Sequence, residues 1–334
     1  MADTVLVTGG SGYIGGWCVV ELLKRGYNVR TTVRGLDKAA AVRAAIAAEV
    51  DPGDRLTFHA ATLTDDAGWD EAVAGCDYVL HVASPLGTSM PDDPQVLIVP
   101  AREGALRALR AAARAGVKRV VLTSSVSAAS PVVRDGITDE ALWTDVSKAD
   151  AYSQSKTLAE RAAWEFAAAH PGLELVTVLP SLVIGPVLTS ENMGSVQVIW
   201  RLIAGKVPGN PRLGFTLVDV RDVVDVHIRA MITPEAKGER FIVANTFMWM
   251  ADISKLLRER LGARAGKVPT RNLPSFLLRF MALFDRSLRM VTPGLGRSGS
   301  FSSAKAQRVL GWTPIPVETS IVDCAESLIA KGAA

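Results

Sequence analysis

Thr8-Gly9-Gly10-Ser11-Gly12-Tyr13-Ile14-Gly15 stands directly behind the short apolar run from Val5 to Val7 and opens a helical pattern over 13–25. A strand, a tight glycine turn and a helix in that order constrain the chain strongly. Gly9 allows the turn, Gly12 lets backbone approach a pyrophosphate, and Gly15 permits close packing of helix on strand. The helix N-terminus adds N–H groups and a partial positive charge suited to phosphates. A dinucleotide is the ligand this arrangement anticipates.

The same rhythm continues through the first half. Strand patterns fall near 4–8, 28–33, 55–60, 77–82, 118–124 and 173–179, and helical patterns near 13–25, 38–49, 67–74, 95–115 and 151–169. Gly26, Pro52-Gly53, Gly75, Gly116 and Pro171-Gly172 punctuate them. Strands alternating with helices predict an α/β fold with a doubly wound parallel sheet. Beyond Leu179 the pattern breaks into Pro- and Gly-rich stretches with short helices, as expected of a substrate region above the sheet. The expected division is a nucleotide-binding domain over 1–180 with about 215–245, and a smaller substrate-binding region over 181–214 and 246–334.

Composition narrows the class. In 334 residues, 49% are apolar and 21% charged, which is ordinary for a globular chain. The 37 basic and 34 acidic residues leave a formal charge of +3, with no like-charge block that would suit nucleic acid. Cys18, Cys76 and Cys324 are odd in number and far apart, so buried reduced thiols are expected rather than a disulfide framework. No signal-like N-terminus and no membrane-spanning run is read, and a cytoplasmic location is expected. Phe276, Leu277, Phe280, Phe284 and Leu288 recur at helical spacing, a pattern read as C-terminal packing or a lid over the cleft.

The second strand decides which dinucleotide fits. It ends Val29-Arg30-Thr31-Thr32-Val33-Arg34-Gly35, with no acid at the tip to hold a ribose 2′-hydroxyl. Arg34 offers a planar fork to a 2′-phosphate and Lys38 a second charge, so NADP(H) is expected over NAD. Tyr152 and Lys156 lie four apart near the start of a helical pattern, which puts phenol and ammonium on one face. A free phenol titrates near 10, so proton exchange near neutrality needs such a cation beside it, together with an oxidised nicotinamide ring. Thr123-Ser124-Ser125 ends the fifth strand in hydroxyls, and Ser125 is placed to hold a substrate oxygen while Tyr152 supplies its proton. His59, His81, His170 and His227 show no metal spacing and read as structural, and no metal is expected.

With those residues in hand, the chain resembles the extended short-chain dehydrogenase/reductase family, in its dihydroflavonol reductase, cinnamoyl-CoA reductase and NADPH-dependent carbonyl reductase branch. The resemblance rests on Val7 to Trp17, Val29 to Arg34, His81-Val82-Ala83-Ser84-Pro85, Thr123 to Ser125, Tyr152 to Lys156, Leu179 to Pro186 and Val218 to Val223. It implies a Rossmann fold, with Ser125, Tyr152 and Lys156 as the catalytic triad. It also implies cofactor contacts from Tyr13 and Ile14 in the glycine turn, from Val82, Ala83 and Ser84 near the nicotinamide ribose, from Pro180 and Val183 at the carboxamide, and from Ser195 at a phosphate. Two departures stand out: Thr62-Leu63 replaces the usual Asp-Leu at the adenine, and Pro100-Ala101-Arg102-Glu103-Gly104 lacks the asparagine of the usual tetrad.

The activity expected is NADPH-dependent reduction of an aldehyde or ketone bearing a bulky apolar group, by a monomer or homodimer acting on a small molecule. Leu86, Val126, Met193 and Phe215 are the expected substrate contacts, in walls over 86–94, 126–133 and 187–215 with Arg212 as the one notable charge. A nucleotide-sugar epimerase or dehydratase, a hydroxysteroid dehydrogenase and a silent NADPH-binding regulator are the alternatives.

Overall fold

In a computed structural model, residues 2–85, 93–131, 136–191, 193–283 and 292–333 are described. The first half alternates strand and helix: β1 (Thr4–Thr8), α1 (Tyr13–Lys24), β2 (Asn28–Val33), α2 (Ala39–Ala47), β3 (Leu56–Ala60), α3 (Trp69–Val73), β4 (Tyr78–His81), α4 (Gln95–Arg114), β5 (Arg119–Thr123), the short β6 (Gly136–Thr138) and α5 (Ala151–Ala169). Then come β7 (Glu174–Pro180), β8 (Leu182–Ile184), α6 (Gln197–Ile203), β9 (Asn210–Pro211), β10 (Gly214–Asp219), α7 (Val220–Ile232) and β11 (Arg240–Val243). The chain closes with β12 (Phe247–Trp249), α8 (Met250–Leu261), β13 (Asn272–Leu273), α9 (Ser275–Met281), β14 (Gly299–Phe301), α10 (Ala304–Leu310) and α11 (Val317–Ala330).

Seven strands form one parallel sheet in the order β11-β7-β5-β4-β1-β2-β3. The order reverses between β1 and β4, where such sheets open a crevice at their carboxyl ends. Val5, Leu6, Val79, Leu80, Val120, Val121, Val176 and Val178 are all fully buried, because helices cover both faces. Each such side chain contributes roughly 1.5–3 kcal/mol on leaving water. The seventh strand, β11, lies in the 215–245 stretch expected to belong to the nucleotide-binding domain, without a strand pattern of its own, and Phe241 buries its ring completely there.

A second core joins α6, α8 and α11 to β8 and β10, and β8, β10 and β12 make a small sheet of their own. The Asp219 to Asp222 stretch locks this region to the sheet. Asp219 caps α7 through the Arg221 N–H, Arg221 bridges to Asp219 and Asp323, and Asp222 accepts from Trp312 Nε1 and the Ile315 N–H. Cys18, Cys76 and Cys324 are buried and unpaired. In the apolar 273–291 segment, Leu278 reaches the second core whereas Phe276 and Phe280 are exposed; Phe284 and Leu288 lie outside the described residues. No described helix is long and apolar enough to cross a membrane.

Candidate active site

The glycine turn has a shape that side chains would destroy. Gly9 has φ +74°, and a Cβ there would press on Ala83 at 3.1 Å, while one on Gly15 would run into the Gly9 carbonyl oxygen. No side chain caps the start of α1. Thr8 steadies the opposite wall, since its hydroxyl accepts the Val82 and Ala83 N–H groups at 3.0 Å each and donates to His81 Nδ1 at 3.1 Å. An uncapped helix start behind a turn with no room for side chains fits a diphosphate. The Tyr13 ring instead turns into the seam between the two cores, its hydroxyl buried without a partner, and burial pushes its pKa well up.

Arg34 and Lys38 are exposed just past the end of β2, and neither forms an ion pair among the described residues. Asp37 folds its carboxylate back against Gly35. An acid therefore does stand at the tip, contrary to the expectation that none would, although two cations flank it. Thr62 sits just past β3, where its hydroxyl meets that of Thr64 and its carbonyl accepts from Trp69 Nε1. Leu63 packs against α4 beside Gly104.

A cleft of about 810 Å³ opens over the sheet edge and collects residues from distant parts of the chain. Ile14, Val82 and Ser84 line one side, and Pro180, Val183 and Ser195 another. Between them stand Ser125, Tyr152 and Lys156. Asp150 caps α5 by accepting from the Ser153 N–H at 2.9 Å and hydroxyl at 3.0 Å, which fixes Tyr152 in the first turn. Three successive hydroxyls after β5 go different ways. Thr123 donates to His227 Nε2 at 2.7 Å, Ser124 donates to Glu160 at 2.6 Å, and Ser125 accepts from the Ser127 N–H at 3.1 Å while facing the cleft. Lys156 is buried at 7% exposure, with its Nζ 3.5 Å from the Thr123 carbonyl.

Burial pushes the Tyr152 phenol above its ordinary value; its hydrogen bond with Ser125 pulls the other way, and the Asp150 charge adds to the rise. Burial also pushes Lys156 down to about 8, against the pull of Glu160. Of the expected substrate contacts, Val126 and Phe215 line the cleft. Met193 does not; it packs on the second core, because the turn at 194–196 directs it inward. Leu86 lies outside the described residues. Arg212 is not part of the lining either, since its guanidinium sits over Trp249 at 5.5 Å. Besides Lys156, Arg297 and Lys148 add cations to the lining, Lys148 paired with Asp145 at 3.3 Å, and Phe247 and Phe301 extend its apolar wall. Sequence spacing could not find Arg297, Phe247 and Phe301, because they reach the cleft only through the packing of β12 and β14, whereas Lys148 stands in the turn that leads into α5.

Ser195 donates its hydroxyl to the Val183 carbonyl. His81 and His227 are buried as hydrogen-bonded structural residues, and no described group of His, Cys, Asp and Glu could hold a metal.

The model of the NAD dependent epimerase/dehydratase family matches residues 5–244. The chain belongs to that family. Within this group of extended short-chain dehydrogenases/reductases, it is 40% identical over 263 residues to cinnamoyl-CoA reductase 2 of Arabidopsis thaliana, covering 76% of each chain. It is 36% identical over 269 residues to dihydroflavonol 4-reductase of Zea mays, covering 77% of this chain and 74% of that one. The structure of yeast methylglyoxal/isovaleraldehyde reductase complexed with NADPH superposes with a TM-score of 0.81 at 25% identity, covering 99% of this chain and 100% of that one. The family's glycine turn and parallel sheet are thus the frame in which the cleft residues of this member are held.

Proposed function

We propose that the protein is an NADPH-dependent reductase that converts an aldehyde or ketone bearing a bulky apolar group to the alcohol. One observation carries this reading: Ser125, Tyr152 and Lys156 converge on a single cleft whose other wall is the glycine-turn side of the sheet. The relatives support the direction, since they are named as reductases and one was solved with NADPH. Arg34 and Lys38 would hold the 2′-phosphate, the turn from Gly9 to Gly15 the diphosphate, and Thr62 and Leu63 the adenine. Val82, Ala83 and Ser84 would border the nicotinamide ribose, with Pro180, Val183 and Ser195 at the ring's carboxamide and the nearby phosphate.

NADPH, when bound, supplies the hydride. The Ser125 hydroxyl, which faces the cleft with Tyr152, orients the carbonyl oxygen. Tyr152 gives its proton to that oxygen as negative charge develops there. Because burial alone makes its phenol a weaker acid, Tyr152 depends on cationic help in the assembled site. Lys156 provides a buried ammonium one turn away and a donor toward the ribose. Val126, Phe215, Phe247 and Phe301 offer apolar surface for the bulky group, and Arg297 suits an anionic substituent.

The test is a panel of aldehydes and aryl ketones with a UDP-sugar beside it, followed by NADPH absorbance. Oxidation of NADPH that rises with apolar size supports the reading. Turnover of the UDP-sugar alone would replace it with an epimerase or dehydratase.

A further inference from the structure

Glu160 has no part in the mechanism above, yet it is the most heavily bonded carboxylate near the cleft. It is fully buried one helical turn beyond Lys156 on the same face of α5. Ser124 Oγ donates to it at 2.6 Å, Thr177 Oγ1 at 2.7 Å, and Arg240 through Nε at 2.8 Å and Nη2 at 3.3 Å. Arg240 is pinned in turn by the carbonyls of Glu140 and Leu142 and by stacking on Trp143 at 3.7 Å. A buried ion pair is seldom worth more to stability than apolar side chains of the same volume. Stability alone therefore gives little reason for an ionised group at this position.

A cavity of about 20 Å³ brings Glu160, Lys156, His81 and Ser124 to one space, walled by Ala101 and Ala105 of α4. That is room for a single water. Of the groups facing Lys156, α4 contributes alanines, and β5 with the residue after it contributes uncharged Thr123 and Ser124. On β4, His81 is neutral, held down to about 3 by burial and by the lysine itself. Tyr152 lies on the cleft side of α5, and Arg240 of β11 stands behind Glu160. Glu160 is the carboxylate that opposes the loss of the lysine's proton.

We propose that Glu160 is a positioning residue for the reaction: it supplies the negative charge that keeps the Lys156 amine an ammonium, and through Ser124 it anchors the strand end that carries Ser125. What the ammonium does rests on the reductase reading, but whether Glu160 holds it charged does not.

The test is an NMR titration of lysine-labelled protein without nucleotide, with the Lys156 signal assigned from a Lys156→Arg sample. Glu160→Gln keeps the side chain's shape and removes its charge, so the Lys156 midpoint should fall by about one pH unit or more, the scale of a nearby opposite charge. Glu160→Asp, which restores the charge, should bring it back toward the wild-type value. A midpoint in Glu160→Gln equal to wild type overturns the proposal. Should Arg240, left unpaired, prevent that variant from folding, the double variant Glu160→Gln/Arg240→Gln removes both charges. Its midpoint should also fall, because Glu160 shares the small cavity with Lys156 and Arg240 does not, and an unchanged value overturns the proposal equally. A lowered midpoint in a protein that reduces no carbonyl would defeat the reductase reading and leave the role of Glu160 standing.

Discussion

Tyr152 and Arg34 are where single side chains bear the most on the proposed chemistry. Tyr152→Phe keeps the ring and removes only the hydroxyl that meets Ser125. Turnover should drop by about 10²–10⁴, the usual contribution of a positioned general acid. NADPH affinity, read by fluorescence titration, should stay near wild type. Retention of a tenth of the wild-type kcat would remove Tyr152 from the mechanism. Arg34 is exposed and free of ion pairs among the described residues, so its loss disturbs no internal contact. Arg34→Ala should weaken NADPH by about 1.5–3 kcal/mol, the scale of a hydrogen bond to a charged group, and leave NADH nearly unchanged. Equal losses for both would mean that Arg34 does not read the 2′-phosphate.

Helix α7 shows how one element can tie the sheet to the second core and make stability depend on pH. His227 donates from Nδ1 to the Val223 carbonyl and accepts the Thr123 hydroxyl at Nε2, so it is held neutral, and burial pushes it down to about 4. Its unfolded value is about 6.5, so the stability it contributes is complete above that pH and is lost as pH falls toward 4, by roughly 3 kcal/mol at 1.36 kcal/mol per unit. His81 acts in the same sense down to about 3. Asp222 acts oppositely: burial raises it to about 6, so its contribution is largest when protonated and declines as pH rises from about 4 through 6. Urea unfolding from pH 8 to pH 4.5 should show a net fall at the acid end. In His227→Gln, which keeps a donor and an acceptor but cannot titrate, that fall should shrink.

At the scale of the whole molecule, substrate choice depends on segments that only the packed chain brings together. Phe247 and Phe301 reach the cleft from β12 and β14, and Arg297 from the turn just before β14. Arg297→Ala should therefore reduce kcat/KM for a carbonyl substrate carrying a carboxylate by about tenfold, while neutral substrates of the same size lose little. Equal losses for both classes would assign Arg297 to the folding of the wall.

Period and punctuation were enough to read six of the seven strands of the central sheet and five of the helices around it, though not α7. Each of those patterns is local: alternating β-branched runs, a 3.6-residue apolar stripe, a glycine where the chain must turn. The glycine turn and the Tyr152 to Lys156 spacing were legible for the same reason, since both occupy one element or one junction. The second core, the seventh strand and the cleft's own walls were not. Glu160 and Arg240 are 80 positions apart, and Thr123 and His227 are 104. Nothing in their neighbourhoods marks them as partners. A buried charge must find its counter-ion wherever the fold delivers one, and that depends on which strand lies beside which. Local pattern alone dictates a parallel sheet with a nucleotide turn and a tyrosine one helical turn from a lysine. Which cations line the cleft and which carboxylate faces that lysine follow from how distant elements pack, since charges far apart in the chain meet only in the folded core.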